Sequence, residues 1–429
     1  MVPYETTNRN RHVRRTLFKY LTVGVILALV GDILPGRPSS DPVTEVHGEL
    51  ASNVSLQSTQ DAYPIITQAL AAGQTKIHLP AGNYSVSQQV NIIKIQNVEI
   101  FGDGQNATIL RLNDNVYGGS NTNPKPAHVL NFSQADSFHV HDLQIDGNAA
   151  GNPFQGNPGT AYAMDGINSW DGSNGKVNNC LIHDCRFMGV QIQLGSNCVV
   201  QGNSIINSNA NGISISNAGN HGSGHQVLNN VVNGASDVGI SAWEAVGTLV
   251  QGNNVQNITL NLSPYLLNTH VGLFAEGQTP CTNITFSNNT VSNISSPTTK
   301  YQGLGMSAGP DGSSNIQFLN NTFQNVWQAA RFVGLVSGLE IVGNTVDGTV
   351  SLLFAPLNVS ASSNGNAPIM ADIEGNVFNG LPSGMAAYIV SLLAGTGKFI
   401  NNTIYANGYK RTILVENPAN WTTTPNTII

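Results

Sequence analysis

A short phrase that recurs along the chain constrains its fold more than any other feature. Each copy holds two apolar residues, a polar residue or glycine, an asparagine and another apolar residue. Aligned on that asparagine, the copies give Asn203, Asn230, Asn253, Asn289, Asn321, Asn344, Asn376 and Asn402. The steps between them are 27, 23, 36, 32, 23, 32 and 26 residues. A shortest step of about 23 residues, with longer copies, predicts a solenoid whose coils carry loops of different lengths.

The coils are predicted to consist of strands. The copies contain alternating, β-branched runs such as GISIS and LEIVG, bounded by glycine and asparagine, which are typical of short strands. A coil of about 23 residues has room for roughly three strands of 3 to 5 residues. Stacked coils of this kind form parallel sheets, with neighbouring strands about 4.8 Å apart. The pattern therefore predicts an all-β parallel β-helix.

The recurrent asparagine is predicted to form a ladder along this solenoid. Its amide carries donors and an acceptor, so a stack that faces inward can bond from coil to coil. Cys180 lies 23 residues before Asn203 and takes the ladder position in an earlier coil. The other cysteines, Cys185, Cys198 and Cys281, form no Cys-x-x-Cys motif. Cys180 and Cys185 could pair across a turn, but buried free thiols are the favoured interpretation.

Charge is distributed unevenly along the chain. Residues 1–40 hold six of the 17 basic residues and two of the 24 acidic ones, which leaves 11 basic and 22 acidic residues, a balance of −11, in the remainder. Because phosphate binding needs a basic surface, nucleic acid is not expected as a partner. Polyanionic glycans are disfavoured for the same reason. Only 10% of residues are charged and 45 are glycine, which suits a β-rich secreted protein.

The N-terminus is interpreted as an export signal at residues 1–40, followed by a linker at 41–60. A basic stretch ends in Arg14-Arg15-Thr16-Leu17-Phe18-Lys19, and an apolar run from Leu21 to Val30 follows. The run is shorter than the roughly 20 residues of a membrane span. It suits a signal-peptide core, and the basic segment resembles a bacterial twin-arginine signal. An uncleaved N-terminal anchor is the alternative, and it is the only membrane contact expected. The predicted location is outside the cell or at its surface.

A short amphipathic helix is expected at the start of the solenoid. Residues 61–73 read DAYPIITQALAAG, with Ile65, Ile66, Ala69 and Leu70 at helical spacing and Gly73 as a stop. Strand-like segments follow at once. A helix placed here would cover the unpaired backbone at the open end of the sheets.

This opening, together with IHLPAGNY at 77–84 and VEIFGDG at 98–104, resembles the pectate-lyase-like superfamily. The resemblance extends over about residues 60–405. It implies a right-handed parallel β-helix at 61–405 with a C-terminal cap or tail at 406–429. The superfamily includes polysaccharide lyases, glycoside hydrolases, uronate epimerases, fructan transferases and phage tailspikes, so it implies a carbohydrate partner without choosing a reaction. The chain lacks the Asp-Asp, Gly-His-Gly and Arg-x-Lys motifs of polygalacturonases and the Asp-Pro-His-Asp motif of alginate epimerases, which weakens both assignments.

A face for glycan binding is predicted on one set of strands. These strands open with Gly166, Gly189, Gly212, Gly239, Gly272 and Gly303. Alternation turns two columns of side chains outward. One column holds Asn168, Gln191, Ser214, Ser241, Phe274 and Gly305, and the next holds Trp170, Gln193, Ser216, Trp243, Glu276 and Ser307, with Asp171 beside Trp170. Aromatic rings with amides and hydroxyls suit sugar binding. Alternatively, loops at 255–270 and 290–302 cover the rings and make them core.

Two acids on this face suggest a glycoside hydrolase or glycosyl transferase acting on a largely neutral polysaccharide. Glu244 and Glu276 lie near the ends of equivalent strands on successive coils, about 5 Å apart by coil spacing. Glu244 is assigned as the acid because it follows Trp243 and partial burial would raise its pKa. Glu276 is assigned as the nucleophile or base. The alternative is a pair of solvated acids at a strand end.

A rival set of residues lies at the other end of the same strands. Asp237, His270 and Tyr301 are predicted to share one position on three coils, and such a group could transfer protons in β-elimination or C5 epimerisation. Those reactions also need a cation at the sugar carboxylate, and only Lys300 and Arg331 are available. A lyase or epimerase is therefore the second hypothesis, and a hydrogen-bonded structural edge is equally compatible. A non-catalytic glycan-binding surface protein is the third.

No cofactor is firmly expected. Four acids flank the GNPFQGNPGT insertion and could hold calcium: Asp142, Asp146, Asp165 and Asp171. Because aspartate is common in turns, a turn role is favoured for them.

Overall fold

The structure of the chain is a computed structural model. It describes residues 60–116, 118–120, 123–125, 127–153, 164–217, 222–259, 269–275, 277, 279–294, 302–309, 312–333, 336–348, 357–360, 369–379, 390–406, 412–416 and 418–429. The predicted export signal and nearly all of the predicted linker lie outside these residues. Among the described residues, no helix has the length and apolar character needed to cross a membrane.

The predicted N-terminal helix is confirmed. Helix α1 spans Ala62–Ala71, and the Asp61 side chain caps it by accepting a hydrogen bond from the Tyr63 backbone N–H at 3.0 Å. The helix stops before Gly73, which has a φ of +78°. Ile66 is fully buried against the first coil, so the helix covers the end of the solenoid core.

Within the described residues the chain winds through three parallel sheets, here called sheets A, B and C, in the repeating order B, A, C. Sheet A has 14 strands: Gln60–Asp61, Gly82–Val86, Thr108–Leu112, Gln144–Asp146, Leu181–His183, Ser204–Ile206, Val231–Asn233, Asn254–Gln256, Thr290–Ser292, Thr322–Gln324, Thr345–Asp347, Val377–Asn379, Thr403–Tyr405 and Thr427–Ile428. Sheet B has 13 strands: Lys76–His78, Glu99–Phe101, His139–His141, Lys176–Asn178, Val199–Gln201, Gln226–Leu228, Val246–Gln251, Thr282–Ser287, Ser313–Leu319, Val336–Val342, Ile369–Glu374, Gly397–Ile400 and Trp421–Thr422.

Sheet C has 12 strands: Val90–Ile93, Leu130–Ser133, Ile167–Trp170, Val190–Gln193, Ile213–Ser216, Val238–Trp243, Thr269–Ala275, Gln302–Ala308, Gln328–Val333, Leu357–Ser360, Val390–Leu392 and Ile413–Val415. A small antiparallel hairpin, Gly118–Ser120 with Asn123–Lys125, and a 3₁₀ turn, Pro418–Asn420, complete the described elements. The architecture is the predicted all-β parallel β-helix.

The asparagine ladder is confirmed at the turn from sheet B to sheet A. Asn253 is representative: its Nδ2 donates to the Val227 carbonyl and to Asn289 Oδ1, both at 2.9 Å. Its backbone N–H also donates to Asn289 Oδ1 at 2.9 Å. This pattern runs unbroken from Asn203 to Asn402, and Asn426 adds a rung that was not predicted. The ladder satisfies polar groups that the core would otherwise bury unpaired.

The residue before each ladder asparagine explains the glycine-or-polar step of the repeat. This position adopts a left-handed backbone conformation, with φ between +53° and +68°, at Gly202, Asn229, Gly252, Asn288, Asn320, Gly343, Gly375 and Asn401. Glycine and asparagine are the residues that tolerate this conformation best. The repeat phrase therefore encodes a turn residue followed by a ladder residue.

The interior of the solenoid is aliphatic and aromatic, with stacked rings such as Phe286 and Phe318, whose centroids are 4.8 Å apart. All four cysteines are buried free thiols. Burial raises the pKa of Cys180 to about 12, so this thiol stays protonated.

Two parts of the predicted layout need correction. Leu273 pairs with Met306, and Val271 pairs with Leu304, so the glycine opposite Gly272 is Gly305 rather than Gly303. An insertion before this strand hides the two-residue offset in the sequence. Ser307 consequently lies opposite Phe274, in the first outward column.

The solenoid also continues past the predicted boundary at residue 405. Strands Ile413–Val415, Trp421–Thr422 and Thr427–Ile428 each pair with the coil before them. The final turn carries its own ladder residue, Asn426, so at least the strands of residues 413–428 belong to the β-helix rather than to a separate tail.

Candidate active site

The first outward column of sheet C, here called the amide column, comprises Asn91, Asn131, Asn168, Gln191, Ser214, Ser241, Phe274, Ser307 and Arg331. Its early members bond to one another. Asn168 Nδ2 donates to Asn131 Oδ1, and Asn131 Nδ2 donates to Asn91 Oδ1, both at 2.8 Å. Asn168, Ser214 and Ser241 are buried. This part of the column stabilises the coil stack and offers few open groups to a ligand.

The second outward column, here called the tryptophan column, is more accessible. It comprises Ile93, Ser133, Trp170, Gln193, Ser216 and Trp243. Trp170 is 40% exposed, and Gln193, Ser216 and Trp243 are half-buried. Three coil steps separate the two tryptophans, which corresponds to about 14 Å. Asp171 beside Trp170 is exposed, and its Oδ2 accepts from Gln134 Nε2 at 3.2 Å.

Phe274 is buried rather than open. It is 6% exposed and packs with Val238, Val271 and Leu304 in a small hydrophobic cluster separate from the main core. Its ring stacks on Trp243, with centroids 6.1 Å apart and planes at 20°. The alternative interpretation, that covered rings form core, therefore describes Phe274. Trp243 keeps a partly exposed ring supported from beneath.

The rival acid–base group is present in part, at the start of the sheet C strands. Asp237 and His270 lie directly opposite each other on adjacent coils, because Val238 pairs with Val271 and the Val271 N–H donates to the Asp237 carbonyl at 3.1 Å. Coil spacing separates their backbones by about 4.8 Å. His270 pairs with Gly303 on the next coil. The residue opposite His270 is therefore Gly303, two residues after Tyr301, and not Tyr301 as predicted. Tyr301 and Lys300 themselves lie outside the described residues.

Asp237 and His270 are among the side chains with buried polar atoms that have no hydrogen bond to any described residue. Asp237 is half-buried as a residue, but its Oδ1 is buried and has no hydrogen bond to any described residue. His270 is fully buried, and neither ring nitrogen has a standard hydrogen bond within the described part of the chain. Each buried polar atom without a partner needs an explanation, and a catalytic role is one such explanation.

Burial raises the pKa of Asp237 and lowers the pKa of His270. It raises the pKa of Asp237 to about 7, because the charged carboxylate is poorly solvated. It lowers the pKa of His270 to about 4, and a weak contact with the Ser236 carbonyl only partly offsets that shift. Near neutral pH, Asp237 can therefore hold a proton while His270 remains a neutral base.

Glu244 occupies a different environment. It follows the last residue of its sheet C strand and has a left-handed φ of +53°. Its Oε1 accepts from the Thr279 backbone N–H at 3.2 Å, and a Cβ on Gly277 would collide with its Cγ. The side chain thus holds the following turn in place. Its predicted partner, Glu276, lies outside the described residues.

The four acids considered for calcium lie in separate environments. Asp142 contacts His141 Nδ1 at 2.6 Å, and Asp146 contacts Arg111 at 2.9 Å. Asp165 is buried beside His128 Nδ1 at 3.0 Å. These are ion pairs and turn contacts, and the described residues bring no three of the four acids into one cluster. Calcium binding therefore stays an untested sequence hypothesis.

Sequence reasoning missed a group of metal-ligating side chains on sheet B. Glu99, His139 and His141 place one potential ligand atom each within 4.8 Å of the others. The available signal was the alternation in His139-Val140-His141, which turns both histidines outward. Without the coil register, however, Glu99 could not be placed beside them.

Comparison with known proteins supports the architecture. The family described as "right handed beta helix region" matches residues 85–255. The A-module of a mannuronan C-5 epimerase from Azotobacter vinelandii is similar at 14% identity, with 86% of this chain and 96% of that chain covered and a TM-score of 0.55. The catalytic unit of an α-1,3-glucanase from Streptomyces thermodiastaticus is 16% identical, with 87% and 67% covered and a TM-score of 0.56.

A lacto-N-biosidase from Eubacterium ramulus is 12% identical, with 82% of this chain and 62% of that chain covered and a TM-score of 0.53. No curated protein matches the chain in sequence. At these identities the similarity shows the shared fold alone.

Proposed function

We propose that this chain, a right-handed parallel β-helix protein, is a carbohydrate-active enzyme that cleaves or transfers glycosidic bonds of a largely neutral polysaccharide or oligosaccharide. One observation carries the proposal: Asp237, with a pKa of about 7, lies opposite the neutral His270 at the start of adjacent sheet C strands. The epimerase, glucanase and biosidase that share the fold are each named for action on a glycan, which supports a carbohydrate substrate. The preference for a neutral glycan depends on the charges of this chain and not on those names.

The proposed reaction uses both groups and balances the proton. Protonated Asp237 donates to the glycosidic oxygen as the bond to the anomeric carbon breaks. His270 accepts the proton of the attacking water or sugar hydroxyl as the new bond forms. This step requires the two side chains to diverge from their backbones, because an acid and a base that leave room for the nucleophile are about 6.5–9.5 Å apart. Transfer of that proton from His270 back to Asp237 restores both groups. The reversed pKa order at neutral pH supports these roles.

Hydrolysis or transfer is favoured over elimination or epimerisation because the site lacks a nearby cation among the described residues. Arg331 lies opposite Ser307, two coils beyond His270 and four residues further along the strand. That offset corresponds to on the order of 15 Å. Among the described residues, a uronate carboxylate at the site would therefore have no positive partner, whereas a neutral sugar needs none. Lys300 lies outside those residues.

The tryptophan column supplies the proposed surface for parts of the glycan away from the cleaved bond, because Trp243 lies six residues, about 20 Å, from Asp237. Trp170 and Trp243 present partly exposed rings on one face, with the polar side chains of Gln193 and Ser216 between them. Rings of this kind pack under the C–H faces of sugars while amides and hydroxyls bond to sugar hydroxyls. The spacing of about 14 Å suits a glycan longer than a disaccharide.

The test is a panel of neutral and acidic polysaccharides incubated with the purified full chain, with new reducing ends and unsaturated uronate products measured separately. We expect reducing ends from a neutral glycan. Asp237→Asn and His270→Gln should each lower kcat by about 100-fold or more. Trp170→Ala should mainly raise KM. Val231→Ala, which removes an exposed apolar side chain from sheet A, is the control and should leave KM unchanged.

The same assay separates the rival sites. Asp237 and Glu244 flank opposite ends of the strand Val238–Trp243, up to about 23 Å apart, so they cannot act on the same bond. If Glu244→Gln and Glu276→Gln abolish activity while Asp237→Asn does not, the paired glutamates form the active site. If unsaturated uronates appear, the lyase hypothesis replaces ours. Glycan binding that depends on Trp170, without any product, would identify an adhesin.

We propose that the enzyme acts outside the cytoplasm, on the strength of the Arg14-Arg15 segment and the apolar run behind it. Replacement of both arginines by lysine should block export by the twin-arginine route. Unchanged export of that variant would reject this route.

A further inference from the structure

The outer surface of sheet B near its N-terminal end carries a compact group of ionisable side chains away from the sheet C face. Two columns run across the coils there: Lys76, Glu99, His139 and Lys176 in one, and His78, Phe101, His141 and Asn178 in the other. We infer that Glu99, His139 and His141 form a binding site for a divalent transition-metal ion such as zinc.

The three ligand atoms already lie close together. One atom from each side chain falls within 4.8 Å of the other two, and His141 Nε2 is 3.0 Å from Glu99 Oε1. Ligand atoms bonded to zinc at about 2.0–2.1 Å in a tetrahedron are about 3.4 Å apart. Small side-chain rotations would therefore complete three corners, and water would take the fourth. Imidazole nitrogens favour zinc, copper or nickel over calcium and magnesium.

Asp142 gives His141 the environment of a metal ligand. The Asp142 carboxylate lies 2.6 Å from Nδ1 of His141, while Glu99 lies 3.0 Å from Nε2. A neutral imidazole has one proton and can donate to only one of these carboxylates. The lone pair of its second nitrogen then faces the negative charge of the other carboxylate. A cation bound between them would remove this repulsion. Histidines that bind a metal through one ring nitrogen commonly donate the N–H of the other nitrogen to a carboxylate, which fixes the orientation of the ring.

His139 is similarly prepared. Its Nε2 lies 2.5 Å from Asn178 Oδ1, so Nε2 donates and Nδ1 keeps a free lone pair. The His139 and His141 rings are held 4.1 Å apart, and Phe101 stacks on His141 at 5.2 Å. The ligands are thus restrained before any ion arrives.

Two lysines oppose binding without blocking it. Lys76 Nζ contacts Glu99 Oε2 at 3.1 Å, which leaves Oε1 for the ion, and the Lys76 side chain is 70% exposed. Lys176 lies opposite His139 on the next coil. Removal of the Lys76 charge should therefore tighten binding.

A second group, Asp146, His183 and Asp184, shows why the first is preferred. Arg111 donates to Asp146 Oδ2 at 2.9 Å, which neutralises that acid. His183 Nδ1 lies 2.7 Å from Asp184, and its Nε2 lone pair accepts from Gln144 Nε2 at 2.7 Å, whereas both nitrogens of His141 face carboxylates. His183 therefore has no nitrogen left for an ion and serves as a control.

The experiment is calorimetric titration of zinc into the full chain after chelator treatment. We expect one ion per chain at this site. Zinc binding should weaken by at least about 10-fold in each of the ligand variants His139→Ala, His141→Ala and Glu99→Gln. The same loss is expected for Asp142→Asn, because asparagine tolerates the left-handed backbone conformation at this position. His78→Ala and His183→Ala should leave it within about 3-fold, and Lys76→Ala should strengthen it.

Two results would overturn the inference. One is absence of zinc binding to the wild-type chain at about 100 μM. The other is binding that is unchanged in Glu99→Gln and His139→Ala, which would place the ion elsewhere. Circular dichroism of every variant checks folding, and Glu99→Gln, which preserves side-chain size, serves where a histidine variant fails to fold. Cobalt absorption that disappears only in the three ligand variants would support the site independently.

Discussion

Cys180 occupies the position, one coil earlier, that Asn203 occupies in the ladder. Its backbone N–H donates to Asn203 Oδ1 at 3.0 Å, as each ladder asparagine does to the next. Its Sγ lies 3.8 Å from the Val140 carbonyl, in the place where an amide Nδ2 would donate. At this coil the ladder therefore keeps its backbone bond, and weak thiol contacts with the Val140 and Asn178 carbonyls replace the amide bonds.

Cys180→Asn should extend the ladder and stabilise the protein. The new amide can donate to the Val140 carbonyl and to Asn203 Oδ1, as Asn203 does to Val177 and Asn230. Two added hydrogen bonds, less the cost of fitting a larger side chain, predict a gain of about 1 kcal/mol. The measurement is the thermal unfolding midpoint, with Cys180→Ala as the control that removes the thiol without adding an amide. A lower midpoint for the asparagine variant than for the alanine variant would contradict the prediction.

Asn253→Ala should cause a large loss of stability. The substitution removes the donor to the Val227 carbonyl and the acceptor for the backbone and side-chain N–H groups of Asn230. Buried groups left without partners cost about 1–3 kcal/mol each, so we expect a loss of about 3 kcal/mol or more. Asn254, the next residue, lies on a sheet A strand and is half-buried. Asn254→Ala is therefore the matched control and should stay within about 0.5 kcal/mol in chemical denaturation.

The fold could be predicted because its repeating unit is local. The ladder asparagine and the left-handed residue before it are adjacent in sequence, and both recur in each coil from Asn203 to Asn402. Their periodicity therefore survives loops of any length between coils. The pairing of Gly272 with Gly305 was not predicted because an insertion precedes this strand. The register after an insertion depends on how many of the inserted residues belong to the loop, and the repeat pattern does not show that number.

The candidate site could be predicted only in part. Alternation correctly turned Trp170 and Trp243 outward, and the coil register correctly placed Asp237 beside His270. It could not show that Phe274 is buried under its own small cluster, because burial depends on neighbours from several coils. Nor could it show that Glu244 bonds to the Thr279 backbone, since that contact joins residues 35 apart.

Gly202 tests the left-handed turn position directly. Its φ is +64°, and a Cβ placed there would meet no atom within 4 Å, so only the backbone conformation limits substitution. Gly202→Asn should be nearly neutral, because neighbouring coils use asparagine at this position. Gly202→Val should cost about 1–2 kcal/mol or more, since a β-branched residue is strained in this region. Equal unfolding midpoints for the two variants would show that the turn does not impose this conformation.

Asp237 and His270 predict opposing effects of pH on stability. The folded state holds the Asp237 proton up to about pH 7, whereas an ordinary aspartate loses it near 3.8, so this group lowers stability as pH rises between those values. The folded state keeps His270 neutral down to about pH 4, against 6.5 ordinarily, so this group raises stability as pH rises from about 4 to 6.5. In the wild-type chain the two effects partly cancel.

Single variants should separate the two effects. With Asp237→Asn only the His270 effect remains, and the thermal midpoint should increase relative to wild type as pH rises from 4 to 7. With His270→Gln only the Asp237 effect remains, and the midpoint should decrease relative to wild type over the same range. We expect divergence of at least about 2 °C, an effect on the order of 1 kcal/mol after allowance for the partial exposure of Asp237. Asp171→Asn, an exposed acid on the same sheet, is the control and should follow wild type. Parallel profiles for all four proteins would mean that neither group has the shifted pKa on which the proposed acid–base roles depend.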